Sequence, residues 1–376
     1  MTAVPNDLTN NLTIRPITGR EELDLFRRFP YVLNEELAGD LEAGRRRPEW
    51  MWVALRGGRL VARAGWWGRD GDTEPFLLNV FDVDDTDPER VAIGVRLLEA
   101  AAAEVVPRGA RMPEYDRMLP PDWREDAAVR RAVEDRVTVL ERTGARLLVE
   151  RLRLEWRPGT PLAAPSGRLR FRPVRDREEL VGLMARALEG TLDAHSIDDL
   201  ARTATAEEAA TAHYEDEIRG YERWRDQWRV ATLPDGTPVG FVAPGRNSYN
   251  ATIGYLAVLP EHRGNGYVDD ILAEGTRTVA AQDVPRIRAS TDVGNAPMAA
   301  AFRRAGYVVF ERMINMVWDR PPEAVRPGAP GSSRGALALG EHSGWISTGG
   351  AAEAPAAARL RTGRGSAAGG RQGPRL

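Results

Sequence analysis

The chain has 376 residues, of which 42% are hydrophobic, with no cysteine and a formal net charge of -3. The lack of cysteine excludes a disulfide framework, a thiolate metal site and a cysteine nucleophile, and the small negative charge gives no positive field that would attract nucleic acid. At roughly 100–200 residues per domain, the length predicts two domains.

The first half predicts an alternation of short strands and helices. Glu21 and Glu22 open a helix, because acidic residues stabilise a helix N-terminus. Gly57-Gly58 between two apolar runs indicates a hairpin turn. In chain order, the predicted elements are strand 12–17, the helix opened at Glu21, hairpin strands 51–55 and 60–67, strand 76–83, helix 89–105, and a final strand, helix and strand that end at Trp156.

The second half predicts the same order of elements. Glu178 and Glu179 open its first helix, and Asp235-Gly236 marks its hairpin turn. An additional segment at 197–228 is charged, helical in pattern and rich in Asp and Glu. The predicted elements are strand 169–174, hairpin strands 229–233 and 238–243, strand 252–258, helix 267–281, and a strand, helix and strand that end at Trp318.

The two halves also share identical residues. Segments 12–23 and 169–180 agree at seven of twelve positions, at an offset of 157 residues, and similar segments precede Trp156 and Trp318. Two matches in the same order at nearly one offset indicate a duplicated unit. We therefore predict the α/β class, with two tandem domains that each have a central mixed β-sheet flanked by helices. The predicted ranges are domains 1–158 and 168–321, a linker at 159–167 and a disordered tail at 322–376.

The segment 255–272 carries the clearest chemical signal. An apolar strand ends at Val258, and Pro260 stops the pairing because proline cannot donate to a sheet. Gly264 and Gly266 then let the backbone bend tightly and present amide N–H groups ahead of an amphipathic helix. Free amides at the positive end of a helix dipole form a cradle for a phosphate or a diphosphate.

This segment resembles the signature of the GCN5-related N-acetyltransferase (GNAT) family. That signature is an apolar strand ending in Val, an x-Pro step, and [Gln/Arg]-x-x-Gly-x-[Gly/Ala] at the start of a helix. The matching residues are Val258, Pro260, Arg263 and Gly266. Val268 departs from the pattern, which has a small residue there. Downstream, Asn295 before a helix that ends in Gly306-Tyr307 is similar to the family's second motif, and the resemblance covers 169–320.

The resemblance implies an N-acyltransferase that moves an acetyl or other acyl group from acetyl-CoA to an amine, most simply a small molecule, by direct attack on the thioester. Backbone groups of the strand would hold the pantetheine arm, and loop amides would hold the diphosphate. The implied acetyl-CoA-binding residues are Leu256, Ala257, Val258, Arg263, Gly264, Asn265, Gly266, Tyr267, Val268, Asp269 and Asn295. The alternative function is a non-catalytic acyl-CoA-binding regulatory module.

The family's usual general acid, a tyrosine, is replaced here by Phe302, which has no proton to give. Tyr307 and Tyr255 are the candidate catalytic residues by proximity, with core packing as the alternative for both. His262 beside the loop is a candidate base, with an inert loop histidine as the alternative. The carboxylates of segment 197–228 would suit a cationic amine or form a solvated helix face.

The corresponding loop of the first half has no glycine, and its carboxylates would repel a diphosphate. These carboxylates belong to Asp82, Asp84, Asp85 and Asp87. The first half is therefore predicted to be a degenerate GNAT-like copy that has lost its cofactor site and walls a substrate cleft.

The sequence also lacks the patterns of a metal site, a membrane span and a secretory signal. The four histidines lie far apart in sequence, so no metal site is predicted. No run of about 18 apolar residues predicts a membrane span, and the polar N-terminus lacks a secretory signal, so we expect a cytoplasmic protein. The expected partner is a small-molecule amine, with neither nucleic acid nor membrane, and the oligomeric state is left open.

Overall fold

The computed structural model describes residues 11–247 and 249–319, and it has the mixed α/β class that the sequence predicts. The predicted tail at 322–376 lies outside these residues. The strands form one twelve-stranded sheet, and the long helices pack against it. Along the described ranges, none of the helices is both long enough and apolar enough to cross a bilayer.

Most strand bounds agree with the prediction to within a few residues. The strands are β1 (Leu12–Pro16), β2 (Met51–Arg56), β3 (Arg59–Trp67), β4 (Leu77–Val83), β5 (Glu114–Leu119), β6 (Ala145–Trp156), β7 (Arg170–Pro173), β8 (Arg229–Thr232), β9 (Pro238–Arg246), β10 (Ala251–Val258), β11 (Ile287–Asp292) and β12 (Val308–Trp318). The helices are α1 (Leu23–Phe26), α2 (Leu37–Glu42), α3 (Arg90–Val105), α4 (Ala127–Arg142), α5 (Arg177–Ala187), α6 (Ala194–Leu200), α7 (Ala206–Asp216), α8 (Tyr267–Ala280) and α9 (Ala296–Arg304).

The residues shared by the two repeat segments make the same ion pair in each half. The Arg15 guanidinium donates both terminal nitrogens to the Glu22 carboxylate, each at 2.7 Å. Arg172 does the same to Glu179, at 3.0 and 2.7 Å. In both halves the glutamate also accepts a backbone N–H from the strand-to-helix loop, at 2.8 Å. The identical residues therefore fix the same turn from strand to helix twice.

The two halves are not separate sheets, which corrects the prediction of one sheet per domain. The strand order is β1-β2-β3-β4-β5-β12-β6-β11-β10-β9-β8-β7. The last strand of the second half, β12, pairs with β5, and the last strand of the first half, β6, pairs with β11. Each half thus completes its part of the sheet with the final strand of the other half. The two exchanged strands, β6 and β12, lie side by side at the centre of the sheet as an antiparallel pair.

The exchanged strands also carry core residues across. Leu152, Leu154 and Trp156 of β6 pack in the core of the second half. Ile314, Met316 and Trp318 of β12 pack in a core of the first half. The sheet is therefore continuous across the two halves. The repeated order of elements, in contrast, starts again after the predicted linker.

A splay between β10 and β11 opens the second half of the sheet. These parallel strands pair at Ala251↔Ile287 and Thr252↔Arg288. Beyond Thr252, β10 stays paired with β9 on its other side, with a bulge near Tyr255. The edge of β10 that faces β11 therefore leaves the ladder, and its peptide groups are open to a ligand.

Candidate functional site

The loop between β10 and α8 forms an amide cradle, which we define as residues 264–268. Gly264 and Gly266 have φ angles of +81° and +72°, which a residue with a Cβ adopts only under strain. Within the described ranges, no backbone or side-chain acceptor receives the N–H groups of 264–268. The cradle thus combines unsatisfied amides with the positive end of the α8 dipole, an arrangement that binds anions.

Arg168 holds the outer side of the amide cradle. Its Nη1 donates to the carbonyl of Asn265 at 3.1 Å, its Nη2 donates to that of Gly266 at 3.4 Å, and it pairs with Asp270. Because these carbonyls accept hydrogen bonds from Arg168 on the outer side of the loop, the N–H groups of the cradle remain available to a ligand on the inner side. Sequence reasoning missed Arg168, because it lies about a hundred residues before the loop and belongs to no motif.

Arg263 lines the cavity described below, but its guanidinium bonds within the protein. Its guanidinium donates to four carbonyl oxygens, those of Ala187 (2.8 Å), Glu189 (2.6 Å), Gly190 (3.1 Å) and Val258 (3.1 Å). Its own amide donates to Pro260 at 3.2 Å. The positive charge of Arg263 therefore caps the C-terminal end of α5 and ties it to the cradle loop, where a cation is favoured by the helix dipole.

Replacing Arg263 with methionine is expected to lower the free energy of unfolding by about 1–2 kcal/mol, because four carbonyls lose a charged donor. Arg186→Met is the matched control, since Arg186 makes a surface ion pair with Glu261 and such pairs contribute about 0–1 kcal/mol. Urea denaturation of both variants measures the difference. Equal losses in the two variants would contradict the capping role of Arg263.

A cavity of about 440 Å³ runs from the amide cradle along the open edge of β10. Nine of the predicted acetyl-CoA-binding residues line it, namely Leu256, Ala257, Val258, Arg263, Gly264, Gly266, Tyr267, Val268 and Asn295. Asn295 also caps α9, its Oδ1 accepting the N–H of Met298 at 3.3 Å. Asp269 is not in the cavity wall: its side chain pairs with Arg304 and its amide donates to Gly266.

The structure separates the two candidate tyrosines. Tyr307 is buried in the core, with its hydroxyl 2.8 Å from the Thr276 hydroxyl, and it does not line the cavity. The prediction of a catalytic Tyr307 is therefore wrong, since its hydroxyl is satisfied away from the site. Tyr255 and Phe302 both line the cavity, as does His262. Burial raises the pKa of Tyr255 above its ordinary value, so its hydroxyl stays protonated.

The far end of the cavity is lined by residues that the motifs did not indicate. They come from the inserted helices and from the exchanged strand β6, and include Asp193, His213, Glu217 and Tyr221 with Arg151 and Arg153. Arg151 and Arg153 belong to the first half, so both halves wall one cavity. The alternative prediction that the carboxylates of segment 197–228 form a solvated helix face is wrong for Glu217, whose side chain is buried.

The corresponding place in the first half is occupied by arginine side chains. Arg117 donates to the carbonyl of Phe81 on the edge of β4 at 3.0 Å, and its other terminal nitrogen pairs with Asp82. Arg63 and Arg136 also pair with Asp82. Burial alone would raise the pKa of Asp82, but the three guanidiniums hold it below its usual value.

The loop after β4 is satisfied by its own carboxylates. Asp84 accepts the N–H of Thr86 at 3.0 Å, and Asp87 accepts that of Glu89 at 2.9 Å. These amides are therefore not available to an anion. Both features favour the predicted loss of the cofactor site from the first half.

Comparison with known proteins points to one family. Residues 168–308 match the family model described as "Acetyltransferase (GNAT) domain", which confirms the resemblance predicted for the second half. No curated protein sequence matches the chain.

Solved structures with a similar backbone include a GCN5-related N-acetyltransferase from Sphaerobacter thermophilus, 15% identical with a TM-score of 0.49 over 83% of this chain and 96% of that chain. A tandem GNAT protein from the clavulanic acid biosynthesis pathway is 16% identical, with a TM-score of 0.45 over 81% and 98%. A GNAT-family acetyltransferase from Colwellia psychrerythraea is 14% identical, with a TM-score of 0.41 over 82% and 100%.

Proposed function

We propose that the protein transfers an acetyl group from acetyl-CoA to an amine, starting from the match of residues 168–308 to the family model of the GNAT acetyltransferase domain. The observation that carries the proposal is the amide cradle at 264–268, whose N–H groups have no acceptor within the described ranges. The cradle opens into the cavity beside the free edge of β10. The diphosphate of acetyl-CoA needs several such N–H donors. The extended pantetheine arm has amides of its own and needs a free strand edge with which to pair.

The proposed acetyl-CoA site keeps most of the predicted residues. They are Leu256, Ala257, Val258, Gly264, Asn265, Gly266, Tyr267, Val268 and Asn295, with Asn265 acting through its amide. Arg263 and Asp269 are left out because both groups are used within the protein. Bound acetyl-CoA supplies the thioester carbon that the amine attacks.

The residues of this chain must then handle two protons, one leaving the amine and one reaching the sulfur. Phe302 can supply neither. Tyr255 lines the cavity and keeps its hydroxyl protonated, and a hydrogen bond donated by that hydroxyl to developing charge on the sulfur would lower the barrier. We therefore keep Tyr255 as the candidate acid and remove Tyr307 from that role.

Tyr255→Phe is expected to lower kcat for acetyl transfer by roughly tenfold to a hundredfold, at or below the lower end of the usual contribution of acid–base catalysis. Tyr307→Phe is the matched control. It should leave kcat within about twofold and lower the free energy of unfolding by about 1 kcal/mol, since it deletes one buried hydrogen bond. Steady-state assays of both variants decide the assignment, and a larger loss in Tyr307→Phe would reverse it.

The proposed function is tested by incubating the full chain with acetyl-CoA and a panel of amines while following free thiol release. A thermal shift with acetyl-CoA alone is measured in parallel. Release that depends on an amine is the expected result. A shift without release on any amine would favour the alternative of a non-catalytic acyl-CoA-binding module, to which Phe302 lends weight. No shift at all would contradict both functions.

A further inference from the structure

Glu217 has no partner for one of its carboxylate oxygens. The residue lies at the start of the 3₁₀ segment Ile218–Gln227, it is 9% exposed, and it lines the cavity at the end away from the amide cradle. Its Oε1 is buried without a hydrogen-bond partner in the described part of the chain. A buried and unsatisfied carboxylate oxygen is costly, so its presence in a cavity wall indicates a ligand.

The strands beneath Glu217 are shaped to hold this segment. The ring of Tyr221 lies against Gly245 of β9 and Gly254 of β10, where an added Cβ would come within 2.3 Å and 2.8 Å of ring atoms. Gly254 is also the residue skipped at the bulge of β10. Because only glycine leaves room at these points, Tyr221 sits close to the sheet and fixes the carboxylate one turn before it.

The surroundings of Glu217 suit a cation with an apolar stem. Tyr255 and His213 also line the cavity, with their ring centres 5.0 Å apart and their planes tilted by 45°, and aromatic faces attract cations. Burial lowers the pKa of His213 to about 4, so its ring is neutral at physiological pH. The other charged or titratable groups that act on Glu217 electrostatically are Arg69 and Arg151, which lower its pKa, Asp216 and Asp199, which raise it, and the hydroxyls of Tyr221 and Tyr255.

Resting on the proposed acetyltransferase function, we propose that the Glu217 carboxylate binds the ammonium group of the acceptor and takes its proton. The acceptor is thus a primary alkylamine that enters the cavity as a cation, with its stem against Tyr221 and Tyr255. A neutral arylamine or an alcohol brings no ammonium group to the Glu217 carboxylate and is a poor acceptor.

The step balances within the named groups. The ammonium gives one proton to Glu217, and the freed nitrogen lone pair forms a C–N bond to the acetyl carbon while the C–S bond breaks. The second proton of the nitrogen ends on the departing sulfur, directly or through Tyr255. Glu217 then returns its proton to solvent, so that one amide, one thiol and one proton are the products.

Glu217→Gln tests the inference, because it keeps the shape of the side chain and removes the charge and the basicity. With benzylamine, tyramine, putrescine and spermidine as probes, kcat/KM for the best acceptor is expected to fall about a hundredfold or more. Affinity for acetyl-CoA, measured by calorimetry on the same preparation, should be unchanged. Glu207→Gln is the matched control, since Glu207 is exposed on the same insert and does not line the cavity.

The pH profile separates this role from a structural one. Burial raises the pKa of Glu217 well above the ordinary carboxyl value. Below that pKa the group is protonated and cannot accept a proton, so kcat/KM of the wild type should rise with pH through it. The rising limb should be lost in Glu217→Gln and kept in Glu207→Gln.

Three outcomes would overturn the inference while leaving acetyl-CoA binding intact. They are an unchanged kcat/KM in Glu217→Gln, acylation of aniline as fast as benzylamine, and acylation of aniline with none of the alkylamines in the panel. Failure of the proposed function itself would look different: the wild type would either not bind acetyl-CoA or bind it without releasing thiol on any amine, aniline included.

Discussion

Replacing Gly266 with valine is expected to weaken acetyl-CoA binding at least about a hundredfold. The φ of +72° at this residue strains a β-branched side chain by roughly 1–2 kcal/mol, so the backbone relieves the strain by turning the peptides of the cradle. Each charge-assisted hydrogen bond that is lost costs about 1.5–3 kcal/mol, and two such losses exceed the roughly 2.7 kcal/mol of a hundredfold change. Calorimetric titration with acetyl-CoA measures the loss.

Gly58→Val is the matched control for this prediction. Gly58 has a φ of +80° in the hairpin turn of the first half, with nothing near its Cβ position. The variant should lose a similar stability of about 1–2 kcal/mol and bind acetyl-CoA like the wild type. Wild-type affinity in Gly266→Val would show that the cradle does not hold the diphosphate.

Removing core side chains from the exchanged strands is expected to destabilise the half that receives each strand. Leu154 of β6 and Met316 of β12 are fully buried, in the cores of the second and first halves respectively. Truncation of such a side chain to alanine costs about 2–5 kcal/mol. Guanidinium denaturation gives the loss, and amide hydrogen exchange locates it. Leu154→Ala should speed exchange in β11, and Met316→Ala should speed it in β5.

Leu147→Ala controls for an effect of position on β6. Leu147 lies on the same strand and is 54% exposed, so its truncation should change the free energy of unfolding by less than about 0.5 kcal/mol. If Leu154→Ala instead speeds exchange in the strands of the first half and spares β11, the exchange of β6 and β12 between the halves is wrong.

Local patterns in the sequence were enough to predict the elements and the cradle. Gly57-Gly58 and Asp235-Gly236 mark hairpins because the turn chemistry lies within adjacent residues. The cradle could be predicted for the same reason: the strand, Pro260, both glycines and the helix follow one another without a break. The duplication could be detected because each copy needs the same arginine and glutamate for its first turn.

Features that depend on contacts between distant residues could not be predicted from the sequence. Whether β6 closes its own half or the other one depends on which partner edge it meets, and the alternation of residues along the strand is the same in both cases. The Arg263 side chain matches the family signature, yet three of its four acceptors are carbonyls more than seventy residues earlier, at the end of α5. The burial of Glu217 likewise depends on Gly245 and Gly254, which no local pattern connects to it.

The most direct measurement is a crystal structure of the full chain with coenzyme A bound. The diphosphate oxygens are expected within hydrogen-bonding distance of the amides of 264–268, with the pantetheine arm along Leu256, Ala257 and Val258. The amide cradle would not be the acetyl-CoA site if arginine side chains between β4 and β5 held the diphosphate, or if the bound coenzyme A made no contact with the cradle.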